Sequence, residues 1–204
     1  MDSRRQRAGH LLSTAALCLA YILFAHAHVA ALASEGLRLS STLLVVFESM
    51  MVILVFFRRP PFARDNSPSA VTVALAGSLL PLALRPTAGA EDVFLGQGVL
   101  IIGLLGQIGS SLSIRRSFGL IAANRGVQTN GFYRLVRHPF YLSYLLVQLG
   151  YVINNPSTIN IAVFAVATAF QLARIWFEER LLMHDNSYRQ YSRRVRWHLL
   201  PGIW

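Results

Sequence analysis

The chain has 204 residues, of which 54% are hydrophobic and only 14% are charged, and its mean hydropathy is +0.46. This composition is that of an integral membrane protein, and the length suits one compact helical bundle. The formal net charge is +10, and all 19 basic residues are arginines. Because these arginines form short clusters between apolar runs, they are typical of residues that orient membrane helices, and they argue against nucleic-acid binding.

Four apolar segments occupy the first half of the chain and predict membrane-spanning helices. The first, residues 11–33, follows Arg4, Arg5 and Arg7. It resembles a signal peptide, but its length is sufficient to span a bilayer, so we interpret it as a helix. The other three segments cover about residues 39–57, 70–84 and 93–113.

Prolines limit the second and third segments. The second stops at Pro60 and Pro61, which lack an amide donor, and a basic turn follows. The third contains Pro81 and has only about fifteen residues. At that length it crosses a thinned bilayer, follows a protein-lined path or is re-entrant. The number of spans is therefore six, or five if this segment does not cross.

Small residues recur at helical spacing in the fourth segment. They are Gly103, Gly106, Ser110 and Ser113. Small side chains allow a neighbouring helix to approach closely, so this stripe predicts a tight helix–helix contact.

The second half begins with a polar stretch, residues 115–137, and continues as an apolar hairpin. The fifth span covers residues 139–153, and the sixth covers residues 159–177 and continues as a helix through Met183. Turn residues at 154–158 predict a tight reversal between them. The termini and the loops at 58–64 and 114–138 hold nearly all the arginines, so six crossings place both termini in the cytoplasm.

This hairpin predicts a juxtaposition of charges. Arg137 and His138 precede the fifth helix, and Glu178 and Glu179 lie at the end of the sixth, so both pairs reach the same membrane boundary. Pro139 is favoured in the first turn of a helix, whose free amides attract an anion such as a carboxylate. Either pair alone is an ordinary helix end, but their combination indicates a site.

Other polar residues have two interpretations each. Gln171, Arg174 and Glu178 form a helical stripe toward the same end, or Arg174 and Glu178 form a simple i,i+4 ion pair. Glu48 within the second span is functional or hydrogen-bonded to neighbours. The single Cys18 is interpreted as an apolar side chain, and the spacing of His and Cys predicts no metal site.

The motifs of the second half resemble the isoprenylcysteine carboxyl methyltransferase family and the related membrane phospholipid methyltransferases. The family pattern is T-x-G-x-Y, R-H-P-x-Y-x-G, a helical hairpin, E-E-x-x-L, Y-x-x-Y and an apolar-Pro ending. The corresponding residues here are TNGFY at 129–133, RHPFYLS at 137–143, EERLL at 178–182, Tyr188 with Tyr191, and LLP at 199–201.

The resemblance covers residues 115–201 and departs from the family pattern at one position. The glycine of that pattern is Ser143 here, a residue small enough to preserve a close backbone approach. The composition and the apolar segments predict one membrane domain over residues 1–204, all-α and polytopic. Residues 1–113 would supply the N-terminal spans, and residues 114–204 would form the methyltransferase region with its cytoplasmic-face cofactor pocket.

The resemblance also implies S-adenosylmethionine as the cofactor. A zwitterionic methionyl group and a cationic sulfonium require anion-binding and cation-tolerant groups side by side. The predicted cofactor-binding residues are Tyr133, Arg137, His138, Pro139, Tyr141, Ser143, Glu178, Glu179, Tyr188 and Tyr191. The predicted catalytic residues are Arg137 or Arg174, which would orient a carboxylate acceptor, and Glu179, which would assist an amine.

The expected acceptor is lipophilic and reaches the site from the bilayer. Carboxyl O-methylation of an isoprenylcysteine-like or other lipid-like acid is our first interpretation. The alternatives are N-methylation of a phospholipid amine and a non-catalytic membrane scaffold or transporter. We expect an integral protein of a bacterial inner membrane, with membrane lipids and a lipidated substrate as partners and with no nucleic acid. The sequence does not specify the oligomeric state.

Overall fold

A computed structural model describes residues 38–56, 63–65, 67–114, 123–124 and 126–204, together with eight positions between 15 and 33. Those eight positions are helical. The rest of the first predicted span, the N-terminal arginines and most of the polar stretch before residue 123 lie outside the described residues. Glu48 lies within a described helix, but its side chain is outside the described part.

Six helices are described over their full length. They are α1 (Leu39–Phe56), α2 (Pro68–Leu79), α3 (Phe94–Ile114), α4 (Pro139–Asn154), α5 (Thr158–Leu182) and α6 (Asn186–Arg194). The first five coincide with the second to sixth predicted apolar segments. By length and composition, Phe94–Ser113 and Thr158–Leu182 are sufficient to cross a membrane. A helical membrane protein fits this architecture, and the total of six spans stays a prediction.

The third apolar segment changes its helix type at its proline. Ser67 caps α2, because its hydroxyl accepts a hydrogen bond from the amide of Ala70. After Leu79 the chain tightens into a 3-10 turn, Leu80–Ala83, which contains Pro81. A proline lacks the amide that an α-helix requires, which accounts for the change of helix type at this point. The apolar helix Pro68–Ala83 is also shorter than the two long helices.

Helices α3 and α4 pack at very close range. A Cβ atom added to Gly103 would lie 2.6 Å from the amide nitrogen of Val147, and one added to Gly106 would lie 2.5 Å from Oγ of Ser143. Val147 is fully buried in the main apolar core together with Leu100. The predicted tight contact of the small-residue stripe is therefore confirmed at both glycines.

A polar network fixes the opposite end of the bundle. Arg38 Nη2 lies 2.9 Å from Asp92 Oδ1, and Arg38 Nη1 donates to Asn155 Oδ1 at 3.0 Å. Asp92 also accepts hydrogen bonds from the amide and the hydroxyl of Ser40. Asn160 Nδ2 donates to the carbonyl of Asn155 at the predicted reversal between α4 and α5. These bonds hold the start of α1 and the hairpin turn in one position.

Two short strands, which the sequence did not predict, join the basic loops. Strand β1 (Ala63–Arg64) pairs antiparallel with β2 (Ala123–Asn124), so that Ala63 faces Asn124. Each strand is only two residues long, and the rest of the regular structure in the described residues is helical. The loops that follow α1 and α3 therefore meet at one end of the bundle.

Candidate active site

The basic and acidic pairs meet as the hairpin predicted. His138 Nε2 lies 2.7 Å from Glu179 Oε1, and Arg137 Nη1 lies 3.2 Å from Glu179 Oε2. Arg137 and His138 immediately precede α4, which begins at Pro139 in its first turn, and Glu179 lies near the end of α5. All three side chains are buried. This contact confirms that the two motifs converge on one place.

Glu179 is held from several directions. Tyr188, on α6, donates its hydroxyl to Glu179 Oε1 at 2.5 Å. Arg137 Nη1 pairs with the other oxygen, Oε2. Both carboxylate oxygens are therefore occupied by protein groups, and only 8% of the residue is exposed. A charge this deeply buried is tolerated because it is paired and hydrogen-bonded.

The C-terminal segment completes this cluster through its backbone. The amide of Arg137 donates to the carbonyl of Trp197, and the amide of His138 donates to that of His198, both at 2.8 Å. The imidazoles of His138 and His198 are parallel, with centroids 6.1 Å apart. His198 was not among the predicted site residues. Its only sequence signal is its place directly before the LLP of the apolar-Pro ending.

His198 is held in its neutral form. Arg137 Nη2 lies 2.5 Å from His198 Nε2, and because a guanidinium only donates, that nitrogen accepts. Burial lowers the pKa of His198, and the positive charge of Arg137 lowers it further, whereas Glu179 opposes the shift. The imidazole therefore acts as an acceptor that orients Arg137.

Glu178 has a different environment from its neighbour. Its side chain is only half-buried, and Oε2 accepts the Tyr141 hydroxyl at 2.6 Å. None of the ion pairs found among the described residues involves Glu178. One carboxylate oxygen thus remains without a described partner, and this carboxylate is the one in the cluster that a ligand can reach.

A buried arginine, Arg174, contacts Tyr141, the residue that donates to Glu178. The guanidinium of Arg174 lies 5.1 Å from the ring centroid of Tyr141. Its Nη1 donates to the hydroxyl of Ser78 on α2 at 3.1 Å. Ser78 was absent from the sequence prediction, because a serine in an apolar helix carries no signal of a partner 96 residues away. Contacts through Tyr141 therefore connect Arg174, and with it α2, to Glu178.

Three predicted tyrosines pack beside the carboxylate cluster. Tyr133, Tyr188 and Tyr191 are buried in one group, and the Tyr191 hydroxyl donates to the carbonyl of Tyr133 at 2.7 Å. Burial raises the pKa of each of these tyrosines. They therefore stay protonated at physiological pH, and Tyr188 remains a donor to Glu179.

Ser143 lies on another face of α4 from the carboxylate contacts just described. Its hydroxyl donates to the carbonyl of Pro139 at 2.8 Å, and it packs against Gly106 of α3. The position where the family pattern has glycine therefore lies at the α3–α4 contact. His138 connects the two parts of the site, because its ring centroid is 5.6 Å from that of Tyr141.

Paired basic and acidic motifs at the end of an apolar helical hairpin place cationic and anionic groups together, an arrangement that suits a zwitterionic or charged ligand. Residues 96–184 match the family model described as the isoprenylcysteine carboxyl methyltransferase (ICMT) family. The match extends from α3 to just beyond the end of α5 and includes both motifs. Over these residues the chain is similar to this family. No curated protein matches the chain.

The similarity indicates a chemistry only at the level of the family. Its members are membrane methyltransferases that transfer a methyl group from S-adenosylmethionine to lipid-like substrates. The residues present fit such a donor. Arg137 has a buried Nε without a partner, and Glu178 has an open carboxylate oxygen. Cationic and anionic groups therefore lie side by side, as a zwitterionic methionyl group requires.

Proposed function

We propose that this protein transfers the methyl group of S-adenosylmethionine to the carboxylate of a lipophilic, isoprenylcysteine-like acid. The observation that carries the proposal is the pair of neighbouring carboxylates with unlike environments. Glu179 is enclosed by Arg137, His138 and Tyr188. Glu178 is half-buried, and its one hydrogen bond among the described residues comes from Tyr141. In such a pair, Glu179 holds the other side chains of the site in place, and Glu178 is left to contact the ligand.

Glu179 acts as a positioning residue in this proposal. Its hydrogen bonds fix the side chains of His138 and Arg137 and attach α6 through Tyr188. A site is effective only when its contacting groups are held in place by neighbours. Glu179 is already fully occupied by protein donors, so we assign it no role as a base.

Glu178 and Tyr141 are the groups we assign to the cofactor. When bound, S-adenosylmethionine supplies an electrophilic methyl group on a sulfonium. The open oxygen of Glu178 is suited to an ammonium group or to ribose hydroxyls, and the Tyr141 ring is suited to a cationic neighbour. Arg137 is suited to the methionyl carboxylate through its unpartnered Nε. Pro139 contributes by starting α4 beside these groups.

Arg174 is the residue we assign to the acceptor. A carboxylate is ionised at neutral pH, so it requires orientation and exclusion of water and needs no base. Arg174 is 7% exposed, lies over Tyr141 and is anchored by Ser78. Arg137 is already engaged by Glu179 and His198. The guanidinium of Arg174 is thus better placed to hold a second carboxylate.

Methyl transfer from labelled S-adenosylmethionine tests this proposal. The purified protein should label a farnesylated cysteine analogue with a free carboxylate, and the label should be released by mild base as expected for a methyl ester. The matched amide of the same compound should remain unlabelled. Labelling of phosphatidylethanolamine alone would instead establish an amine N-methyltransferase. Failure to bind the methyl donor at all would favour the scaffold.

A further inference from the structure

A cleft of about 340 Å³ opens on the surface beside the carboxylate cluster. Arg134 and Leu135 form one wall, at the end of the turn that precedes α4. The other wall consists of residues 194–197, which run from the last residue of α6 into the segment after it, together with Pro201. None of the predicted cofactor-binding or catalytic residues lines the cleft. It is therefore a feature separate from the proposed methyl-transfer site.

Two hydrogen bonds join the two walls of the cleft. The Tyr191 hydroxyl donates to the carbonyl of Tyr133 at 2.7 Å. The amide of Arg137 donates to the carbonyl of Trp197 at 2.8 Å. Both bonds join the turn before α4 to the segment around α6. The arginines on the two walls thus project from a fixed backbone.

Three arginines give the cleft a concentrated positive charge. Arg134, Arg194 and Arg196 are all exposed, and no carboxylate lines the cleft. Among the described residues, no hydrogen bond or ion pair engages any of their guanidinium groups. Like charges this close repel each other until an anion neutralises them. A guanidinium matches the oxygens of a phosphate in a bidentate manner.

Two large apolar side chains that line the cleft are exposed. Leu135 is 62% exposed and Trp197 is 38% exposed. Arginine beside tryptophan and leucine is the composition found where a protein meets the headgroup region of a membrane. A small hydrophilic anion would use only the arginines. A ligand that contacts both the arginines and the apolar side chains has a phosphate group attached to an apolar chain.

We propose that this cleft binds the phosphate-bearing headgroup of an anionic phospholipid in the adjacent membrane leaflet. The three arginines hold the phosphodiester, and Trp197 with Leu135 contacts the start of the acyl region. This inference goes beyond methyl transfer and does not depend on it. The bound lipid would fix the depth of the C-terminal segment, whose backbone positions Arg137 and His138.

Lipid binding by the full chain in a non-ionic detergent tests the proposal. The probe is dioctanoyl phosphatidylglycerol. Native mass spectrometry measures how much of this lipid the protein retains, and the shift of thermal unfolding with lipid concentration gives the Kd. We expect binding that weakens as salt is raised, because the contact is electrostatic. Dioctanoyl phosphatidylcholine, which has no net charge, should bind at least about tenfold more weakly.

A pair of matched variants tests whether the lipid binds in the cleft. Replacing Arg134, Arg194 and Arg196 together by glutamine should weaken phosphatidylglycerol binding at least about tenfold. The control replaces Arg180, Arg189 and Arg193 by glutamine, which removes the same charge outside the cleft and should change the Kd less than about twofold. The single charge reversal Arg196→Glu should also weaken binding while leaving unfolding of the lipid-free protein unchanged.

Three results would overturn the proposal. An unchanged Kd in the cleft variant would place the lipid elsewhere. Equal affinities for phosphatidylglycerol and phosphatidylcholine would remove the role of charge. Inorganic phosphate or glycerol 3-phosphate that binds as tightly as the lipid would make the cleft a site for free phosphate. Methyl transfer is measured separately, so its absence would contradict the proposed function and leave this assignment intact.

Discussion

The imidazole Nε2 of His138 lies 2.7 Å from the carboxylate Oε1 of Glu179, although the two residues are 41 positions apart in the chain. Helices α4 and α5 form the hairpin that brings them together, and Tyr188 of α6 donates to the same oxygen. The contact therefore couples the start of one apolar helix to the end of the next. The proposed site depends on this coupling.

Removing the charge of Glu179 should destabilise the protein. In Glu179→Gln the buried guanidinium of Arg137 loses its ion-pair partner, which costs about 3 kcal/mol or more of unfolding free energy. Unfolding in mixed detergent micelles measures the loss. Glu178→Gln is the matched control, because the neighbouring carboxylate is half-buried and forms no described ion pair. Equal losses in the two variants would contradict the assignment of Glu179 as the positioning residue.

The meeting of the two motifs could be predicted because it follows from local rules. Pro139 marks a helix start, and the tight reversal at 154–158 returns the chain, so the length of two helices decides where Glu179 arrives. The pairing of β1 with β2 could not be predicted in this way, because a strand of two residues shows no periodic pattern in the sequence. The partnership of Ser78 with Arg174 depends on how α2 packs, which one sequence does not specify.

The α3–α4 contact should not tolerate a side chain at Gly103. In Gly103→Ala the new Cβ would meet the backbone nitrogen of Val147, and backbone cannot move aside as a flexible side chain does. We expect a loss of about 2 kcal/mol, measured by thermal unfolding. The control is Gly98→Ala in the same helix, where an added Cβ meets nothing within 4 Å. That variant should be stabilised by up to about 1 kcal/mol through helix propensity.

Asp92 should be important for stability at the other end of the bundle. Burial alone would raise the pKa of Asp92, but hydrogen bonds from Ser40 and Arg38 outweigh it and lower the pKa. The ionised Asp92 therefore stabilises the fold fully at pH values above its usual pKa of 3.8. This stabilisation is lost as the pH falls through the lowered pKa of the folded state. Asp92→Asn should cost about 2 kcal/mol at neutral pH. The exposed neighbour Glu91, replaced by glutamine, is the control, and a similar loss there would contradict the prediction.

His198 should make stability fall on acidification. Its pKa is lowered by burial and by Arg137, against the opposing effect of Glu179, and His138 adds to the lowering. The unfolded chain therefore takes up a proton near pH 6.5 that the folded chain resists. Stability is full above about pH 6.5 and declines below it until the folded pKa is reached.

Unfolding at a series of pH values checks this behaviour. The difference between the wild type and His198→Gln should shrink as the pH falls below about 6.5, because the variant has no proton to take up at this position. His184→Gln removes an exposed imidazole bonded only to carbonyls of its own chain segment and serves as the control. A constant difference between the wild type and His198→Gln across this range would contradict a neutral His198.

Calorimetric binding of S-adenosylmethionine to the detergent-purified chain tests the central claim most directly. We expect saturable binding by the wild type and at least about tenfold weaker binding by Glu178→Gln, which keeps its shape but loses its charge. Tyr141→Phe should weaken binding less, because only the hydroxyl that orients Glu178 is removed. Wild-type affinity in Glu178→Gln would contradict the account, since the reachable carboxylate would then have no part in holding the methyl donor.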